Sequence, residues 1–194
     1  MIVIGGHLDS WDLGTGAVDD GAGMAITVAA AHRILQAGSP RRTIRVVLFG
    51  AEEVGGLGGD AYRNLHRGDG NVILVGESDF GADRVWRVEF SLAAANAALR
   101  DRIATLLAPL GIVRGQGRAS AGADLGAWAT AGTAAIDLDQ DGTRYFDYHH
   151  SPDDTLDKVD PAQLRQNVAA WTAMLAAVAD APERIEPAPV APAR

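Results

Sequence analysis

The chain contains no cysteine, so it offers neither a disulfide nor a thiolate-held metal, and any metal site has to use histidine and carboxylate. It also lacks an excess of positive charge: 17 Lys and Arg stand against 25 Asp and Glu, for a formal charge of -8. No cluster of Lys and Arg interleaves with aromatics, so a nucleic-acid partner is not expected. No apolar run approaches the roughly 18 residues that span a bilayer, so no membrane segment is expected. Met1 runs straight into Ile2-Val3-Ile4-Gly5-Gly6 with no basic stretch and no long apolar region, which suits a strand and not a signal peptide. Because the chain opens inside a strand, a segment upstream is expected. There is no phosphate-binding loop, dinucleotide fingerprint or Gly-x-Ser-x-Gly elbow.

What is present is 47% hydrophobic residues over 194 positions, enough for one α/β core and short for two. One domain is expected over 1–180, followed by a Pro- and Ala-rich tail over 181–194 that should be disordered. Short apolar runs alternate with segments of helical period, the pattern of a mostly parallel sheet flanked by helices. Ile2–Ile4, Thr43–Phe49, Asn71–Val75 and Ala134–Leu138 are expected strands. Gly21–Gln36, Ala93–Leu107, Ala121–Thr130 and Pro161–Ala179 are expected helices, the first stopped by Gly38 and Pro40 and the last opened by Pro161. His32 within a helix and His66 in a turn are assigned to structure or surface.

Acidic residues and histidines gather just past the strand ends, where α/β sheets bind ligands. His7 follows the first strand, and Asp9, two residues on, can share its face and hydrogen-bond the ring. Taken alone, His7 is better explained as an edge-of-strand histidine with a local hydrogen bond. Asp19-Asp20 stands at the entry to a small-residue helix, where one carboxylate can cap the helix and the other is free to hold a metal. Glu52-Glu53 follows the most apolar strand, where two adjacent carboxylates either stand as solvated loop glutamates or repel unless a dication is near. Glu53 would then ligate, leaving Glu52 to take a proton from water. Asp79 ends another strand, and His149-His150 sits in a polar loop; a turn residue and an exposed loop explain these just as well when each is taken singly. Of the tryptophans, Trp11 beside the His7 loop is the one placed to line a pocket.

Taken in order, GGHLDSWDLGTGAVDDGAG, TIRVVLFGAEEVGGLGG, GESDFG and YHHSPDDTLDKVDP resemble the motifs of the co-catalytic zinc exopeptidases with an aminopeptidase-like, phosphorylase/hydrolase-like fold. The resemblance covers nearly the whole chain up to the tail. It implies two zinc ions, one held by His7 and Asp79, the other by Glu53 and His150, with Asp19 bridging and a cis peptide before Asp20. It further implies Asp9 as the partner of His7, and Glu52 as general base and then acid. The expected substrate is a dipeptide or short peptide, with an aminopeptidase, an aminoacylase or an inactive metal-binding fragment as alternatives. Other divalent metals would suit the same donors. A homodimer and export to the periplasm or outside are further expectations of the resemblance, and members of the family carry extra strands and helices ahead of the strand at Ile2.

Overall fold

The computed structural model describes residues 1–189. Strand β1 (Ile2–His7) is buried along its whole length because both faces of the sheet are covered. Its alternation splits the core: Ile2 and Ile4 point to one layer, Val3 to the other. Strand β2 (Ile44–Phe49) pairs with β1 in parallel, and β3 (Leu74–Glu77) does so on the other side. With β4 (Val85–Ser91), β5 (Val113–Arg114) and β6 (Ala134–Gln140) they form one sheet in the order β2-β1-β3-β6-β4-β5. β4 runs antiparallel to β6, and β5 follows β4, so the sheet is mixed and mostly parallel.

The larger core layer lies under helices α1 (Ala22–Ala37), α3 (Ala97–Leu107) and α6 (Pro161–Ala179). Trp171, Met174 and Leu175 of α6 are fully buried in it. The start of α6 is set by Asp160, whose carboxylate accepts the amides of Ala162 and Gln163, with Pro161 preset for the first turn. The other face carries α2 (Leu57–His66) and α4 (Gly126–Thr130), which close on Phe49, Leu125 and Trp128. A one-turn helix, α5 (Tyr145–Tyr148), precedes the two loop histidines.

Several expectations need correction. The helix expected from Ala121 begins only at Gly126, because Ala121 has φ 72 and cannot continue a right-handed helix. The strand expected over Asn71–Val75 lies at Leu74–Glu77 and includes Gly76, where any Cβ would sit 2.8 Å from the Ile136 carbonyl oxygen. The expected tail disorder does not hold through residue 189. Ala181 and Ile185 are buried, Leu92 pairs with Pro187, and Arg42 donates to the carbonyls of Val178, Ala181 and Glu183. The remainder of that tail, 190–194, lies outside the described residues. Among the described residues no helix is long and apolar enough to cross a membrane.

Candidate metal centre

Because β1, β2 and β3 run in parallel and in register, their carboxyl ends open on one side, bringing His7, Glu52, Glu53 and Asp79 into one group. His7 is almost fully buried. Its Nδ1–H donates to the backbone carbonyl of Asp9 at 2.8 Å, which turns Nε2 toward the Asp19 and Asp79 carboxylates. The side chain of Asp9 does not serve this purpose, as its carboxylate stands 3.8 Å away. It accepts instead the backbone amides of Glu52 at 3.1 Å and Glu53 at 3.2 Å, locking the loop after β2 onto the loop after β1.

The two adjacent aspartates divide their work. The peptide between Asp19 and Asp20 is cis. Asp20 accepts the His7 amide at 3.0 Å and the Gly23 amide at 3.2 Å, so it carries the cap-like role at the start of α1. Gly6 and Gly23 make this possible, because a Cβ on either would collide with the Asp20 carboxylate. Asp19 faces the histidines. Its Oδ1 lies 3.1 Å from His7 Nε2, and its Oδ2 lies 3.5 Å from His149 Nε2 and 3.6 Å from His150 Nε2.

Two groups of metal-ligating atoms therefore share Asp19: His7 with Asp19 and Asp79, and Asp19 with His149 and His150, each within 4.8 Å internally. Glu53 joins the second group through Oε2, 2.7 Å from His150 Nε2, while its buried Oε1 has no partner. His7 Nε2 stands 3.5 Å from Asp79. All the sequence-derived candidates thus meet in one place.

The electrostatics call for positive charge. Burial works against a protonated His7, yet the Asp19 and Asp79 carboxylates push its pKa up to about 12. Burial raises Glu52, and neighbouring Asp79, Asp124 and Glu53 reinforce the effect. Burial likewise drives Asp20 well up, with Asp79 adding to it. Surplus carboxylate around buried imidazole is what a divalent cation would neutralise.

Sequence reasoning passed over several residues that the fold brings in. Asp154 is buried and accepts the amides of Val18 at 2.6 Å and Asp19 at 3.1 Å. Glu77 accepts the amides of Asp124 and Leu125, and Asp124 in turn accepts the Gly59 amide, tying α2 to β3. Burial, then Asp79 and Asp124, raises Glu77 to about 9. The Tyr145 phenol is pushed up by burial and by Asp19 and Asp79. Trp11 stacks on His150 at 4.5 Å and 11°, and His149 stacks on His150 at 3.5 Å. Of these, Trp11 carried a signal in the sequence through its proximity to His7, and His149 through its place beside His150.

The sequence model of peptidase family M28 matches residues 1–175. The chain belongs to peptidase family M28. Within that family, carboxypeptidase Q of Xenopus laevis is 37% identical over 187 residues, which is 95% of this chain and 40% of that protein. A peptidase M28 precursor from Shewanella amazonensis SB2B has a solved structure that matches at TM-score 0.90 and 44% identity, over 97% of this chain and 43% of that one. A zinc aminopeptidase from Bacillus subtilis shares the fold at TM-score 0.70 and 18% identity, over 97% of this chain and 49% of its own. The chain spans about two fifths of the length of the curated M28 relatives it matches.

Proposed function

We propose that this chain carries a two-zinc exopeptidase centre that hydrolyses dipeptides or short peptides. The observation that supports it most is the division of the Asp19 carboxylate, one oxygen toward His7 and the other toward His150. In this reading His7 and Asp79 hold one ion, Glu53 and His150 the other, and Asp19 is shared. The residues fit such ions: Glu53 Oε1 is buried without a partner, and the histidine and carboxylate donors suit zinc without thiolate. The M28 relatives named carboxypeptidase and zinc aminopeptidase support both the metal and the removal of terminal residues. Cobalt or manganese would also suit these donors.

Bound there, a pair of divalent ions supplies Lewis acidity, lowering the pKa of water and polarising a carbonyl. The protein's own groups do the rest. Glu52, raised by burial and by the carboxylates around it, accepts the proton of the attacking water and returns it to the leaving amine. Asp9 keeps Glu52 in place by holding its backbone amide and that of Glu53. Asp154 does the same for Asp19.

Metal analysis of the purified protein, combined with a panel of dipeptides, aminoacyl anilides and N-acyl amino acids, tests this reading. Two equivalents of zinc with cleavage of the dipeptides is the expected result. Zinc-loaded protein that cleaves no member of the panel overturns the activity, and a single equivalent overturns the shared ligand.

A further inference from the structure

Beside Asp79 a cavity of about 470 Å³ is lined by Phe80, by Trp86 and Arg87 of β4 and by Asp137 and Asp139 of β6. Both rings are accessible, Trp86 at 45% and Phe80 at 36%. The strand wall is charged. Arg87 stands opposite Asp139 and Glu89 opposite Asp137 in the antiparallel register, so all four share one neighbourhood of the sheet. The Arg87 Nε lies 2.7 Å from Asp139 and 3.2 Å from Glu89. Among the described residues Asp137 is bonded to uncharged donors, the Ser120 amide and hydroxyl and the Ala121 amide. Of the four, Asp137, Asp139 and Arg87 line the cavity, so two carboxylates of its strand wall stand beside one guanidinium that Glu89 also binds. The next arginine along, Arg118, turns to the carbonyls of Pro189 and Ala188 and to the Ser91 hydroxyl.

We propose that this cavity is the subsite for a basic residue of the substrate, taking the methylene stem of Lys or Arg between Phe80 and Trp86 and the cationic head at Asp139 and Asp137. The inference rests on the peptidase reading above. Three features combine in it: continuity with Asp79, aromatic walls, and an excess of negative charge at the far side. A long basic side chain is the residue type that uses both an apolar wall and a carboxylate, since its stem covers apolar surface and its head keeps to polar surroundings. The protein itself displays the mode, because Arg87 lies 4.6 Å over the Trp86 ring while bound to Asp139. An acidic side chain would bring a further carboxylate to a wall where Asp137 and Asp139 already stand beside a single guanidinium, itself bound by two carboxylates.

The test uses the zinc-loaded protein and dipeptides varied through Lys, Leu and Glu at each position in turn, read as kcat/KM. At one position Lys should exceed Glu by about tenfold at low salt, the size of one partly screened charge contact. Asp139→Asn should cut that ratio several-fold and leave the Leu substrate within about twofold. Calorimetric binding of free lysine, norleucine and glutamate gives a second readout that needs no turnover, with lysine expected tightest and the lysine advantage reduced in D139N. If D139N does not fold, Trp86→Leu replaces it and should weaken lysine and norleucine together. Hydrolysis of the Leu peptides with Glu equal to or above Lys at both positions overturns the subsite and leaves the peptidase reading standing. Preferential lysine binding without any hydrolysis overturns the peptidase reading and supports the subsite; equal binding of lysine and glutamate overturns the subsite in either case.

Discussion

The carboxylate of Asp154 accepts the backbone amide of Asp19 at 3.1 Å across a sequence separation of 135 residues. It takes the Val18 amide at 2.6 Å with its other oxygen, so the loop carrying the histidines fixes the turn carrying the shared carboxylate. Asp154→Ala removes both acceptors and leaves two buried amides unpaired. The expected loss is about 1–3 kcal/mol of stability, together with weaker zinc retention. Denaturant unfolding and metal titration of the same sample measure both, and unchanged values for both would remove Asp154 from the site's support.

Glu52 is the group assigned to proton transfer, and it is not among the proposed ligands. Glu52→Gln should lower kcat by about 100-fold or more while two equivalents of zinc stay bound. Near-normal turnover by the zinc-loaded variant would show that the proton is carried elsewhere.

Asp9 holds the amides of Glu52 and Glu53 from outside the set of ligating atoms. Asp9→Ala is expected to reduce activity or metal affinity by about 10–100-fold, as other groups that orient metal ligands do. Asp9→Asn retains one carbonyl acceptor and should recover part of the loss. Equal activity of all three proteins would leave Asp9 with no positioning role.

Asp19 and Asp79 crowd around His7, so a cation bound in the proposed centre is expected to stabilise the fold. Removing the metal with a chelator should lower Tm, and zinc should restore it in a concentration-dependent way because it binds only the folded chain. A melting curve insensitive to both chelator and zinc would contradict this coupling.

Trp171 is the largest fully buried side chain and sits where α6 meets the sheet. Trp171→Ala is expected to cost about 3–5 kcal/mol, measured by denaturant unfolding. A loss below about 1 kcal/mol would place α6 differently on the sheet.

Much of the architecture was legible in the chain because its periodicities are strong. The apolar runs at Ile2 and Ile44, the Ala-rich α1 and the Pro-led α6 appear where expected. Helix α2 escaped notice because Gly56, Gly58 and Gly59 argue locally against a helix. Gly58 and Gly59 are there because the backbones of Gly50 and Asp124 pack where their Cβ atoms would be. Strand β4 hid behind Trp86, Arg87 and Glu89, and the irregular register between Val85 and Arg87 breaks the two-residue alternation.

By itself the sequence determined the kind of chemistry: histidine and carboxylate without thiol, placed after apolar strands, in motifs that mark a metal-dependent peptidase family. Tertiary structure alone decided how those groups are partnered. It turned Asp20 to the amides of His7 and Gly23, gave the Asp9 carboxylate to Glu52 and Glu53 in place of His7, and brought Asp154 to the backbone amide of Asp19. Local spacing encodes which face a residue shares over a few positions. Bonds between loops more than a hundred residues apart follow from strand order and register, which no short stretch of sequence contains.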